Sequence, residues 1–226
     1  MDGEHEQYAR GAWARFHSQP ERALATLRAV EGHRILRALD VGCGGGQELS
    51  PFVLNGALGV GIDFAPETGL VGRKLFKSQL SDCRVVFARA SGDALPFCSE
   101  VFDVVICRLA LPYMYNTRAL SEFARVLRTG GLLFLKIHHA RFYLDKFLTG
   151  LTREPLSSVH SVRVGLSSLV YHLTGYQPSD GYLIKEVFQT VSTLRRELVK
   201  YDLKINHEMP DSNPLTPSFC IAKSSD

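Results

Sequence analysis

With 226 residues, 45% of them apolar and 22% charged, the chain can bury one sizeable core and has the composition of a soluble globular protein. Its net charge of +3 is carried by scattered Lys and Arg, without the clustered basic stripe of a nucleic-acid binder. Five cysteines (Cys43, Cys83, Cys98, Cys107, Cys220), odd in number and without a C-x-x-C pair, argue against a disulfide framework and a structural zinc site, so no metal is expected.

The opening MDGEHEQYARG has no apolar stretch like a secretory signal, and no run approaches the roughly 18 apolar residues of a membrane span. A cytoplasmic setting without a membrane partner is the expectation. Residues 4–17 place Tyr8, Ala12, Trp13 and Phe16 at helical spacing, and Pro20 suits the start of a second helix from Glu21 to about Glu31.

From Ile35 the pattern changes to β–turn–α units. ILRALDV reads as a strand, followed by a glycine turn and a helix near Gln47–Leu54. LGVGID (58–63) is a second strand, with a helix from Pro66 to about Leu80. RVVFAR (84–89), VFDVVICR (101–108) and GLLFLKIH (131–138) supply three more, with a helix near Thr117–Leu127. Short, β-branched, near-continuously apolar strands alternating with helices predict a doubly wound, mostly parallel α/β sheet whose ligand site lies at the strands' carboxyl ends.

After His139 the alternation stops. Residues 140–182, aromatic, apolar and helical in pattern, read as a cap inserted on the substrate side. A long helix is expected over about Tyr182–Lys200, its Glu186, Arg195, Arg196 and Glu197 forming a solvated face, then two short closing strands near 203–207 and 219–223. Four segments follow: N-terminal helices (1–34) over the site, a core (35–139), the cap (140–182) and the closing elements (183–226).

Residues 38–49, ALDVGCGGGQEL, hold four glycines between a strand and a helix. Such a cluster marks a φ > 0 turn or a close backbone approach, and a ligand across the turn would meet the N-terminus of the next helix. Asp40 precedes the glycines, and Asp63 ends the second strand about 20 positions on, where a carboxylate suits a pair of ribose hydroxyls. Either Asp alone suits a helix N-cap; both together with the glycines favour a nucleoside-containing ligand. The dinucleotide pattern G-x-G-x-x-G fails at Gln47, which disfavours an NAD-dependent dehydrogenase, and no Gly-Lys-Ser/Thr marks a P-loop.

LDVGCGGG resembles the first motif of class I S-adenosylmethionine-dependent methyltransferases of small-molecule type, and the resemblance continues in order. GVGIDFAPE (59–67), ALPF (94–97), EVFDVVICR (100–108) and EFARVLRTGGLLFLKI (122–137) extend it over residues 36–138. It implies a Rossmann-like sheet with an antiparallel C-terminal strand, and S-adenosyl-L-methionine as cofactor. By the same resemblance, Asp40 orders the turn and approaches the methionine amino group. Gly42, Cys43 and Gly44 let the methionine moiety lie close, Asp63 holds the ribose, and Phe64 covers the adenine or packs. Relatives carry an Asp four residues before Leu-Pro-Phe; here that offset holds Ser91, and Ser91 with the Gly92 backbone is expected at the adenine. Asp93 substitutes only if the loop is rearranged. Cys107 and Arg108 end the fourth strand beside the reactive methyl, with Arg108 meeting an acidic substrate or pairing with Glu100 or Glu122.

Methyl transfer from a sulfonium is an in-line displacement, so the protein chiefly supplies position and desolvation, and a base only where the acceptor must lose a proton. His138, His139 and Tyr113 are the catalytic candidates, with Tyr115 as further pocket lining; His160 and His172 read as helix-surface residues. The aromatic cap suggests a partly apolar small-molecule acceptor. A cofactor-binding protein without activity and an RNA or protein methyltransferase are the alternatives, a nucleic-acid acceptor being disfavoured by the modest charge.

Overall fold

The computed structural model describes residues 2–80, 82–179 and 181–224; residues 1, 81, 180, 225 and 226, the last two closing the final segment, lie outside it. Helices α1 (Asp2–His17) and α2 (Pro20–Ala29) come first. Pro20 sits at the start of α2, where its missing N–H is no loss. Strand β1 (Arg37–Val41) leads through the glycine turn to a single 3-10 turn (Gln47–Leu49) and the short α3 (Ser50–Leu54). Pro51 begins α3 afresh, so the expected single helix over 47–54 is split.

Strand β2 (Leu58–Asp63), α4 (Pro66–Gln79), β3 (Val85–Arg89), β4 (Phe102–Arg108), α5 (Asn116–Val126) and β5 (Leu127–Lys136) follow. The cap is a helical hairpin, α6 (Ala140–Arg153) and α7 (Pro155–Thr174). Helix α8 (Val191–Val199), β6 (Leu203–Glu208) and β7 (Ser218–Lys223) close the chain.

The seven strands form one sheet in the order β3-β2-β1-β4-β5-β7-β6. Five are mutually parallel, and β7 runs antiparallel to both β5 and β6. The order reverses between β1 and β4, where Ala38 pairs with Val104 and Asp40 with Ile106, and this is the crevice at which such sheets bind ligands. One core layer joins Leu39, Val105, Phe123, Leu133 and Leu198; the other joins Trp13, Phe52, Phe76, Phe87 and Ile106.

One expectation is corrected: the long helix over 182–200 is only Val191–Val199. The preceding strap, 181–190, is non-helical because its amides bond elsewhere. Ile184 and Phe188 donate to the Ser167 and Ser168 hydroxyls at 2.8 and 3.0 Å, and Gln189 donates to the His138 carbonyl at 3.2 Å. Thr190 and Thr193 then form a capping box that starts α8. No helix among the described residues is long and apolar enough to cross a membrane.

Candidate active site

The turn after β1 is built from left-handed glycines. Gly42 has φ +71° and Gly44 φ +54°, a conformation costly for residues with a Cβ. A Cβ at Gly42 would lie 2.4 Å from that of Ala110, so β1 and the loop after β4 touch backbone to side chain. A Cβ at Gly44 would meet nothing within 4 Å. Asp63 ties the turn to the tip of β2: its Oδ2 accepts from the Gly44 amide at 3.0 Å and its Oδ1 from the Ala65 amide at 3.0 Å. Each carboxylate oxygen keeps a second lone-pair direction for another donor.

A cavity of about 450 Å³ opens over this turn. Gly42, Gly44, Asp63 and Phe64 line it together with Ala90, Ser91 and Gly92 and with Arg108, Tyr113 and Met114. Tyr8 and Ala9 of α1 and Lys185 of the strap also line it. Leu109, on the same wall, holds φ +61°, a rare conformation for a branched side chain. Its amide donates to the Lys136 carbonyl at 2.8 Å, which fixes the loop as β4 ends.

The structure thus brings Gly42, Gly44, Asp63, Phe64, Ser91, Gly92, Arg108 and Tyr113 to one cavity. Phe64 is 71% exposed, with the Arg89 guanidinium 5.3 Å from its ring centre. Cys43 and Cys107 are set apart. Both side chains are buried in the two core layers and neither lines the cavity, so they touch it at most through the backbone. Burial pushes the Cys107 thiol up to about 12, which leaves it inert. Ser91 hydrogen-bonds Asp93. Asp93 itself accepts from the Tyr115 amide at 3.0 Å and pairs with Lys185 at 3.3 Å, and it does not line the cavity.

Asp40 is 2% exposed and its Oδ2 has no hydrogen-bond partner. Burial, then the neighbouring Glu48 and Asp63, pushes its carboxyl well above the ordinary range. Arg108, expected to meet a substrate, Glu100 or Glu122, instead ion-pairs with Asp211 and lies 3.3 Å from Glu48. Glu48 also holds Arg22 of α2, and Asp211 holds Lys136 at 2.9 Å. Glu100 is taken by Thr129 and Lys223, and Glu122 by Arg125. Burying one guanidinium is tolerable only with such partners.

The histidine candidates fall outside the cavity. His139 caps α6, its Nδ1 accepting from the Arg141 amide at 3.2 Å. His138 is 7% exposed and stacked 4.3 Å from Phe142, and burial lowers its pKa, so it stays neutral. Tyr113 does line the cavity; desolvation, then Glu186 and Tyr8, pushes its phenol up to about 12. It is a proton donor throughout the physiological range.

Two residues of the strap were missed in the sequence. Lys185 reaches the cavity, its Nζ 4.3 Å from the Tyr115 ring centre. Glu186 was read as part of a solvated helix face. It accepts from the Tyr143 hydroxyl at 2.6 Å and pairs with His160 Nε2 at 2.9 Å, so His160 is no simple surface residue. The erroneous helix over 182–200 hid both, and Gln177, which pins the strap by donating to the Met114 and Lys185 carbonyls at 2.6 Å, carried no signal.

The residues present fit a sulfonium nucleoside: Gly44 leaves open space, Asp63 keeps acceptor capacity, and the buried Asp40 oxygen lacks a partner. Residues 39–135 match the family model of the methyltransferase domain. The uncharacterized methyltransferase YcgJ of Bacillus subtilis is 32% identical over 56% of this chain and 51% of its own length. A ubiquinone biosynthesis O-methyltransferase of Bartonella quintana is 30% identical over 44% of this chain and 40% of its own. The matches thus span about half or less of these curated relatives. Magnesium protoporphyrin IX methyltransferase from Synechocystis, solved with bound SAH, shares the fold with a TM-score of 0.63 at 16% identity, over 92% of this chain and 84% of its own.

Proposed function

We propose, from a chain whose residues 39–135 match the family model of the methyltransferase domain, that it is a class I methyltransferase that transfers a methyl group from S-adenosylmethionine to a small, partly apolar acceptor. One observation carries the reading: a single cavity runs from Asp63 across the glycine turn to Tyr113, under α1 and the strap. Its volume of about 450 Å³ lies in the usual range for a small-molecule site. The relatives named for ubiquinone biosynthesis and for magnesium protoporphyrin support an acceptor of that class. The five cysteines, all free, suit a reducing, cytoplasmic setting.

In this reading the cofactor supplies an electrophilic methyl on a sulfonium that is its own leaving group. Asp63 holds the ribose hydroxyls while its other lone pairs keep Gly44 and Ala65 in place. Asp40, buried beneath the turn and outside the cavity lining, would order the turn and reach the amino group through water, and Ser91 with the Gly92 backbone would meet the adenine. Gly42 and Gly44 keep the turn free of side chains. Arg108, committed to Glu48 and Asp211, fixes part of the cavity lining instead of recruiting an acid. Tyr113 donates a hydrogen bond to the acceptor and orients it for in-line attack. Helix α1 covers the cavity through Tyr8 and Ala9, and the strap closes on it through Lys185, while α6 and α7 contribute no lining residue. Orientation and desolvation of this kind can lower a barrier by about 7–11 kcal/mol.

The test follows S-adenosylhomocysteine release with labelled cofactor against phenolic, carboxylic and amine acceptors, and against RNA. Release that depends on one small-molecule class supports the reading. Cofactor binding without release for any class would favour an inactive binding protein, to which the Ser91 departure points. RNA-dependent release with steep salt dependence would favour an RNA methyltransferase.

A further inference from the structure

Helix α7 is turned inside out. Its buried face is largely small and polar: beside Val164 and Tyr171 it carries Ser158, Ser161, Ser167 and Ser168, all 6% exposed or less. Two of these hydroxyls accept the strap amides of Ile184 and Phe188. Its outward face is aliphatic: Leu156, Val159, Val162, Leu166, Leu169 and Leu173, from 41% exposed at Val162 to 85% at Leu156. Spacings of three and four residues place these six on one stripe. Helix α6 adds Leu144, Leu148 and Leu151, each more than half exposed and again at helical spacing. Nine exposed aliphatic side chains on one hairpin make an apolar face of the kind that marks an interaction site, unlike singly scattered surface hydrophobics.

We propose that this face is a dimer interface, occupied by the α6–α7 hairpin of a second copy of the chain. Three observations select that occupant. The stripe is self-complementary: with two α7 helices antiparallel about an axis level with Val164, Val159 falls opposite Leu169 and Val162 opposite Leu166, and Leu156 lies within one residue of facing Leu173. A two-fold interface demands that match.

The second observation is Gly165. Glycine inside a helix costs about 1 kcal/mol relative to alanine. A Cβ there would meet nothing within 4 Å, so packing inside the chain does not call for it. Close approach of a second helix at the axis does. Beside it a groove of about 240 Å³, lined by Leu144, Phe147 and Val162, receives a side chain of the second copy.

The third is charge. The charged residues of the hairpin, Arg141, Lys146, Arg153 and Arg163 against Asp145 and Glu154, carry both signs, which allows opposite charges to meet across a pair of copies.

The proposal stands independently of the reaction. Sedimentation equilibrium of the full chain over a micromolar concentration series tests it, with Leu166→Glu alongside. Wild type is expected to sediment as a dimer. Leu166→Glu, with unchanged circular dichroism and thermal midpoint, should dissociate at concentrations roughly 100-fold higher or more. Should Leu166→Glu fail to fold, a crosslink decides. In a Cys98→Ser background, which removes an exposed thiol, Gly165→Cys should give a covalent dimer on mild oxidation and Leu173→Cys should not. A wild-type chain that stays monomeric throughout, or that moves as a monomer onto phosphatidylcholine or phosphatidylglycerol vesicles through this stripe, overturns the proposal. So does crosslinking that is equal at both positions.

Discussion

The Asp63 carboxylate holds the Gly44 amide at 3.0 Å, joining the tip of β2 to a left-handed glycine 19 residues earlier. Because Gly44 lines the cavity and a Cβ on it would stand in open space, fold and ligand binding can be separated there. Gly44→Ala should fold, losing about 1–2 kcal/mol to the left-handed backbone, yet bind S-adenosylhomocysteine at least tenfold more weakly. A thermal melt paired with calorimetric titration checks both halves.

Gly42 behaves differently. With φ +71° and a Cβ position 2.4 Å from Ala110 Cβ, Gly42→Ala adds a steric clash to the backbone strain. A loss of roughly 3 kcal/mol or more is expected, strain and overpacking together. Restoring space through Ala110→Gly should recover part of the loss, and the double-mutant cycle by urea denaturation measures that recovery.

Asp211 gives the pH dependence. Arg108 and Lys136 outweigh its burial and hold its carboxyl at about 2, below the ordinary 3.8. A carboxyl depressed in the folded chain stabilises fully above its unfolded pKa, and that contribution disappears as the pH falls from about 4 towards 2. The contribution is on the order of 2 kcal/mol. Asp211→Asn should flatten the acid limb of a stability–pH profile in that window and lower stability at neutral pH.

Tyr113 and His139 separate chemistry from capping. Tyr113→Phe removes the donor at the cavity wall and should lower methyl transfer about 10- to 100-fold, in line with one lost hydrogen bond to an aligned acceptor. With its phenol at about 12, no alkaline limb from Tyr113 is expected below pH 10. His139→Ala should leave transfer intact and cost about 1 kcal/mol of stability as a lost helix cap. Steady-state rates across pH, beside thermal melts, distinguish the two.

The parallel core was legible because its signals are local: apolar strands, the glycine turn, and Asp40 and Asp63 at strand tips. Pro20, Pro51 and Pro66 stand at helix starts, although only the first and third were read as such. What was illegible depends on distant partners. The strap over 181–190 has a helix-compatible sequence, and Arg163, Ser167, Ser168, Gln177 and the His138 carbonyl, which take up its backbone groups, keep it out of a helix. Glu186 therefore turned from a surface charge into the partner of Tyr143 and His160. Arg108 likewise found Glu48 and Asp211, one over 50 and the other over 100 positions away, where sequence proximity offered Glu100 and Glu122.

The measurement nearest the central claim is calorimetric titration with S-adenosylmethionine, S-adenosylhomocysteine and NAD, on wild type and Asp63→Ala. The account predicts binding of both sulfur nucleosides and none of NAD. It also predicts a loss of about 100-fold or more in the variant, as two hydrogen bonds to a charged group require. Absence of binding by either sulfur nucleoside, or affinity unchanged in Asp63→Ala, would contradict it.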